Sequence, residues 1–177
     1  MGRLEVDQVE VDLDPIVRGV LSTAVGLVGG KPIKLLKDLP DPLPMAQGDP
    51  VRIRQVLLNL YSNAAKFTDE GHITLHIREE ADRVILAVQD SGVGIPQGNY
   101  ELIFEEFRQA AAGRRQARQG SGLGLAISRQ LVNLMGGDIW VESEVGQGSI
   151  FSFSLPRIPA SDLSTNTRQP NLMSEGQ

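Results

Sequence analysis

The stretch of sequence that decides the fold is RIRQVLLNLYSNAAKF, at residues 52–67. Its apolar residues recur at intervals of three and four, which predicts an amphipathic helix with one face on a core. Asp49-Pro50 precedes it and provides a polar cap followed by a proline suited to the first turn. The predicted core-facing residues are Ile53, Val56, Leu57, Leu60 and Ala64.

One edge of this helix is polar. At about 100° per residue, Asn59, Asn63 and Lys66 fall within roughly 60° of arc beside the apolar face. Two amides and an ammonium next to a buried face are costly unless they have partners. Neighbouring loops could cap them, or they could face a phosphate and a hard metal ion. Asparagine oxygens can coordinate Mg²⁺, and a lysine ammonium can bind phosphate oxygens. The residues alone therefore leave both interpretations open.

The other elements predict the fold class. Alternating or apolar runs predict strands at residues 9–13, 33–39, 72–78, 84–89, 138–144 and 149–155. Helical spacing predicts a helix from Asp14-Pro15 to Gly29, a short one at residues 100–107 and another at 121–135. Strands and long helices do not alternate strictly. We therefore expect an α+β protein, a two-layer α/β sandwich whose mixed sheet of about five strands has three helices on one face.

Two glycine-rich stretches follow the central helix. DSGVGIP, at residues 90–96, follows an apolar strand and offers a carboxylate plus a backbone that a flat ring can approach closely. Such an aspartate can accept a hydrogen bond from an exocyclic amine, although an ordinary turn has the same composition. GSGLGL, at residues 120–125, opens the last helix, whose first amides and dipole favour an anion.

The segment between these stretches, residues 97–119, combines small residues with arginines and lacks apolar periodicity. This segment is interpreted as a solvated loop or, because it comes just before the predicted anion-binding turn at residues 120–125, as a lid over a nucleotide. Phe104 and Phe107 are expected to anchor one end of it.

Composition excludes several classes of protein. The 177 residues contain no cysteine, which removes disulfides and thiolate chemistry, and the net charge of −5 argues against a nucleic-acid-binding surface. No apolar run approaches the roughly 20 residues that span a bilayer. We expect a cytoplasmic domain without membrane contact, at residues 9–156, followed by a flexible tail at 157–177.

Four motifs in this order resemble the signature boxes of the sensor histidine kinase catalytic domain. Residues 57–68 (LLNLYSNAAKFT) resemble the N box, 90–96 the first glycine box, 102–107 (LIFEEF) the F box and 120–125 the second glycine box. The resemblance covers residues 3–156 and implies a Bergerat ATP-binding fold. Residues 1–8 then resemble the end of a preceding dimerisation helix.

The resemblance also implies the ligands and their residues. ATP and Mg²⁺ would be the cofactors, with Asn63 as the metal ligand, Asn59 in support and Asp90 reading the adenine amine. The implied nucleotide-binding residues are Asn59, Asn63, Lys66, Phe67, Asp90, Gly92, Gly94, Ile95, Phe107, Arg118, Gly120, Ser121, Gly122, Leu123 and Gly124.

A kinase is favoured over an ATP-hydrolysing relative by one position. Related ATPases carry a water-activating glutamate four residues before the metal-binding asparagine, whereas here Asn59 cannot act as a base near neutral pH. A nucleotide-binding pseudokinase is the third alternative. His72 and His76 share one face of a predicted strand and lack the helical context that a phosphoacceptor of this family occupies, so neither is expected to accept the phosphoryl group. The acceptor would be a histidine-bearing dimerisation domain that passes the group to a response regulator. The isolated domain is expected to be monomeric.

Overall fold

The computed structural model describes residues 4–105 and 124–158. Three α-helices and seven strands occur in the described part of the chain, with two short 3-10 turns at Gln97–Asn99 and Leu102–Phe104. In chain order they are β1 (Val9–Asp12), α1 (Leu13–Val28), β2 (Ile33–Asp38), β3 (Met45–Gly48), α2 (Pro50–Phe67), β4 (Gly71–Glu79), β5 (Arg83–Asp90), α3 (Gly124–Leu134), β6 (Ile139–Glu144) and β7 (Gly148–Pro156).

The strands form one mixed sheet and one small ribbon. The five-stranded sheet has the order β2-β4-β5-β7-β6, in which β2 runs parallel to β4 and all other neighbours are antiparallel. β1 and β3 pair antiparallel as a separate two-stranded sheet. The predicted α+β architecture, with a five-stranded mixed sheet and three helices, is confirmed.

Helix α2 occupies the middle of the helical layer, where it contacts α1, α3 and strand β5. Its apolar face is fully buried as predicted: Ile53, Val56, Leu57 and Leu60 are each 0% exposed. The predicted cap is also present, because Asp49 Oδ1 accepts hydrogen bonds from the backbone nitrogens of Val51 (3.0 Å) and Arg52 (3.3 Å). The sheet completes this core with Ile73, Leu75, Leu86, Phe153 and Leu155.

Asp49 has a second partner upstream of β1. Its other oxygen, Oδ2, accepts a hydrogen bond from the Asp7 nitrogen at 3.0 Å, and Gln8 Nε2 donates to the Met135 carbonyl at 3.0 Å. Residues 4–8, predicted as the end of a helix, form neither helix nor strand. They attach instead to the N-terminus of α2 and the C-terminal end of α3.

Several boundaries differ from the predictions. Strand β3 lies in the proline-rich connection, where no strand was predicted, and α1 is capped by Asp12 rather than Asp14. The predicted helix at residues 100–107 is replaced, up to Glu105, by 3-10 turns. Past the predicted boundary at 156, the Arg157 nitrogen donates to Asp82 O and the Ile158 nitrogen to Met45 O.

Both histidines lie on the sheet face opposite the helices, because the alternate residues Ile73 and Leu75 enter the core. The His76 ring nitrogens lie 3.1 Å from Asp38 Oδ2 and 2.8 Å from Gln89 Oε1. Among the described helices, none has the length and apolar character needed to cross a membrane.

Tyr61, on α2, is a buried residue with an unsatisfied polar atom. It is 1% exposed, and its hydroxyl has no hydrogen-bond partner among the described residues. Burial raises the pKa of this hydroxyl far above its ordinary value. A buried hydroxyl without a partner lowers stability, because its hydration is lost and not replaced.

Replacing Tyr61 with phenylalanine should therefore stabilise the domain. We expect Tyr61→Phe to raise the free energy of unfolding by about 1 kcal/mol, measured by urea denaturation. Tyr100→Phe is the matched control, because the Tyr100 hydroxyl donates to Ser143 O and accepts from the Ser143 nitrogen at 2.8 Å. That variant should lose stability. A loss of equal size in both variants would contradict the assignment.

Candidate functional site

The described candidate residues lie on three neighbouring elements. The C-terminal half of α2 carries Asn59, Asn63, Lys66 and Phe67; the segment after β5 carries Gly92, Gly94 and Ile95 beyond Asp90; and α3 begins at Gly124. Phe107, Arg118, Gly120, Ser121, Gly122 and Leu123 lie outside the described residues.

Helix α2 contacts the other two elements. At its end, the Phe67 carbonyl accepts a hydrogen bond from the Val93 nitrogen at 3.4 Å. Two turns earlier, Asn59 Nδ2 donates to the Gly124 carbonyl at 3.2 Å. The structure thus brings together the three described groups that the sequence predicted as one site.

Asp90 is the most constrained carboxylate of this region. It ends β5, is 6% exposed, and its Oδ1 accepts hydrogen bonds from the nitrogens of Gly92 (2.9 Å) and Ser149 (3.3 Å). Burial raises the pKa of Asp90 above its ordinary value of 3.8, while these two hydrogen bonds act in the opposite direction. Its Oδ2 makes no hydrogen bond to a described residue, so one oxygen can accept from a ligand.

The two glycines after Asp90 are required by the protein's own packing. A Cβ on Gly92 would overlap the Phe67 carbonyl oxygen and lie 2.9 Å from Thr68 Oγ1. A Cβ on Gly94 would overlap the Glu144 carbonyl, and its φ of +75° also favours glycine. Access for a flat ring was the predicted reason for both glycines, whereas these contacts explain them by the close approach of other backbone.

Serines of the β6–β7 hairpin hold the segment after Asp90. Ser143 Oγ accepts from the Ile95 nitrogen at 2.7 Å, donates to Gly148 O at 2.8 Å and lies 2.7 Å from Ser149 Oγ. Neither serine was predicted as a site residue from the sequence. Their positions depend on the pairing of Asp90 with Ser149 across β5 and β7, which local sequence does not reveal.

The polar edge of α2 is only partly occupied by protein contacts. Asn59 uses its amide nitrogen for Gly124 O and for Ser128 Oγ at 3.0 Å. Asn63, one turn later, is half-buried, and its side chain makes no hydrogen bond to another described residue. The Lys66 Nζ lies 5.3 Å from the centre of the Phe67 ring.

The C-terminal end of α2 is contacted by the ammonium group of Lys31 and is followed by the buried hydroxyl of Thr68. Neither residue was predicted from the sequence as part of the site. Lys31 Nζ donates to the carbonyls of Ala65 (2.8 Å) and Thr68 (3.1 Å), a favourable place for a cation at a helix C-terminus. Thr68 is 0% exposed, and its Oγ1 has no partner among the described residues.

The donor set fits a magnesium ion that arrives with phosphates. Such an ion needs only one or two protein oxygens and completes its shell with phosphate oxygens and water. The amide oxygen of Asn63 can supply one. The described part of the chain contains no group of three or more His, Asp or Glu residues that would form a dedicated metal cage.

Comparison with known proteins identifies the family to which the chain is similar. Residues 48–159 match the family of histidine kinase-, DNA gyrase B- and HSP90-like ATPases. The sensor histidine kinase RcsC of Escherichia coli strain K12 is 39% identical over 155 residues, which is 87% of this chain and 16% of RcsC.

Two solved structures share the fold. Full-length ShkA in complex with AMPPNP superposes with a TM-score of 0.78 at 34% identity, covering 90% of this chain and 33% of ShkA. The nucleotide-free catalytic domain of histidine kinase ThkA gives a TM-score of 0.72 at 28% identity, covering 86% of this chain and 99% of that domain.

This chain therefore spans a small part of RcsC and nearly the whole of an isolated kinase catalytic domain. The expectation of a Bergerat-type fold is confirmed. The chain belongs to the histidine kinase-, DNA gyrase B- and HSP90-like ATPase family, and within it to the catalytic, ATP-binding domains of histidine kinases.

Proposed function

We propose that this domain binds ATP with Mg²⁺ and donates the γ-phosphoryl group to a histidine outside the chain. The observation that carries the proposal is Asp90. Its charge is buried at a cost in stability, and one of its oxygens remains available to a ligand. A buried acceptor of this kind can select the exocyclic amine of adenine over the oxygen of guanine, because only the amine donates.

The phosphates would lie between α2 and the start of α3. Lys66 would contact phosphate oxygens, and Gly124 would contribute the first turn of α3, whose amide groups favour an anion. By resemblance, Arg118 and the glycines at 120 and 122, with Ser121 and Leu123, would complete this end. Phe67, Ile95 and Phe107 would border the nucleotide.

Asn63 would hold the magnesium ion through its amide oxygen, and Asn59 would support it. When bound there with the nucleotide, the ion would supply positive charge that offsets the negative charge of the phosphates during transfer. This role asks for one neutral oxygen ligand at the polar edge of α2, which Asn63 supplies.

Transfer rather than hydrolysis is favoured by the residue at position 59. An amide cannot take a proton from water near neutral pH, whereas an imidazole acceptor is itself the nucleophile. The acceptor nitrogen would bond to the γ-phosphorus as the bridge to the β-phosphate breaks, and ADP would leave with the electron pair. The domain's residues would position the donor and exclude water.

The acceptor would lie on a dimerisation domain that also serves a response regulator. His76 is engaged by Asp38 and Gln89 on the sheet face away from α2, which argues against an acceptor role. We place the domain in the cytoplasm, where its substrate ATP is abundant, and expect the isolated domain to be monomeric.

Asp90→Asn should stabilise the protein at neutral pH. The raised pKa of Asp90 means that the folded state holds its proton more readily than the unfolded state does. Wild type therefore loses stability as the pH rises from below 3.8 through the raised pKa. An asparagine has no such dependence and can keep Oδ1 as the acceptor from Gly92 and Ser149. In thermal unfolding, the excess stability of the variant over wild type should decrease as the pH falls from the raised pKa to below 3.8. A variant less stable than wild type at pH 7 would contradict the argument.

The same substitution should strongly weaken nucleotide binding. We expect Asp90→Asn to weaken binding of ADP with Mg²⁺ on the order of 100-fold in calorimetry, since a charge-assisted hydrogen bond is lost and the new amide group can repel the adenine amine. Asp38→Asn, on the far sheet face, changes the charge equally and serves as the control. Binding by Asp90→Asn at wild-type strength would refute the site.

The reaction class is tested by supplying the acceptor. With ATP and Mg²⁺, we expect phosphoryl transfer to a separate histidine-bearing helical hairpin from a histidine kinase, with little phosphate released in its absence. Replacing the hairpin's histidine with alanine should abolish labelling. Rapid multiple-turnover release of phosphate without a hairpin would instead favour the ATPase alternative, and binding without either reaction would favour a pseudokinase.

A further inference from the structure

The amide group of Asn59 joins two helices that are distant in sequence. Its Nδ2 donates to the Gly124 carbonyl at 3.2 Å and to Ser128 Oγ at 3.0 Å, across 65 and 69 residues of chain. An asparagine nitrogen has two hydrogens, so it can donate one to each of these acceptors. Ser128 is 0% exposed and therefore cannot touch a ligand directly.

The Gly124 carbonyl fixes the orientation of this amide. A carbonyl oxygen can only accept, so the nitrogen of Asn59 must face it. Rotating the amide by half a turn would bring two oxygens to about the distance of the present hydrogen bond, where they repel. Oδ1 of Asn59 consequently does not face this carbonyl, and it lies 4.0 Å from the position that a Cβ on Gly124 would take. An aspartate or a glutamate at this position would lack the donor that the carbonyl requires.

We propose that Asn59 is a positioning residue that, with Ser128 as its buried partner, sets the separation between α2 and the first turn of α3. The proposal rests on the proposed function, because the nucleotide's phosphates are placed between these two helices. We call the contact of Asn59 with Gly124 and Ser128 the Asn59 latch.

The latch should act on one end of the nucleotide only. Asn63 follows Asn59 by one turn of α2, a rise of about 6 Å, so the latch lies next to the predicted metal ligand. The adenine end is held separately, because Asp90 is positioned by the nitrogens of Gly92 and Ser149. Loosening the latch should therefore weaken contacts to phosphates and leave those to adenine intact.

Ser128→Ala tests the latch without altering any group that can reach the ligand. We expect this variant to bind ADP with Mg²⁺ about threefold to tenfold more weakly in calorimetry, the range for one lost hydrogen bond. Adenosine, followed by chemical-shift titration, should bind within about twofold of wild type. Unchanged affinity for ADP, or an equal loss for adenosine, would overturn the proposal.

Ser154→Ala is the matched control. Ser154 is a buried serine on β7, 3% exposed, whose Oγ also accepts one hydrogen bond, from the Asp138 nitrogen at 3.0 Å. It should lose thermal stability to an extent similar to Ser128→Ala and keep wild-type affinity for ADP. Ser128→Thr retains the hydroxyl and should restore binding; a loss as large as that of Ser128→Ala would count against the latch.

A double-mutant cycle separates coupling from independent effects. In an Asn59→Ala background, Ser128→Ala should cause no further loss of ADP affinity, because the contact is already absent. Additive losses would refute the coupling. Failure of the wild-type domain to bind ADP or adenosine would refute the proposed function. Binding by the wild-type domain together with an unchanged ADP affinity of Ser128→Ala would refute the latch alone.

Discussion

The burial of one face of α2 constrains every other part of the site. Ile53, Val56, Leu57 and Leu60 are excluded from water, and each such side chain contributes about 1.5–3 kcal/mol to stability. With that face fixed in the core, the polar residues beside it must lie along the margin, between α3 and the segment after β5. The Gly124 carbonyl of α3 and the Val93 nitrogen after β5 then contact α2 directly.

Several polar groups at the edge of this core are buried or lack hydrogen-bond partners among the described residues. The charge of Asp90 is buried, Thr68 Oγ1 has no partner among the described residues, and Asn63 likewise makes no hydrogen bond to them. Groups of this kind lower stability, and they gather at places where a ligand supplies what the protein lacks. Tyr61 shows that the rule has exceptions, since its hydroxyl is equally unsatisfied but faces the core.

Local patterns were enough to predict α2, its Asp49 cap and the five strands of the main sheet, because periodicity and capping act over a few residues. Strand β3 was missed because its four residues become a strand only by pairing with β1. The partners of Asn59 were also unpredictable, since a contact across 69 residues follows from packing rather than from spacing. At Gly92 the motif was recognised, but its reason lay in the carbonyl of Phe67, on another element.

The two oxygens of Asp49 have a mechanical consequence. One caps α2 and the other holds the backbone of Asp7, so the segment ahead of β1 and the 18-residue helix share one carboxylate. Helix α2 is about 27 Å long, and a tilt of about 5° at the cap would displace its far end by roughly 2 Å. Asn63 and Lys66 lie near that far end. A displacement of the Asp7 backbone would therefore reach the N-terminus of α2 through this one carboxylate, on the same helix that carries the polar edge.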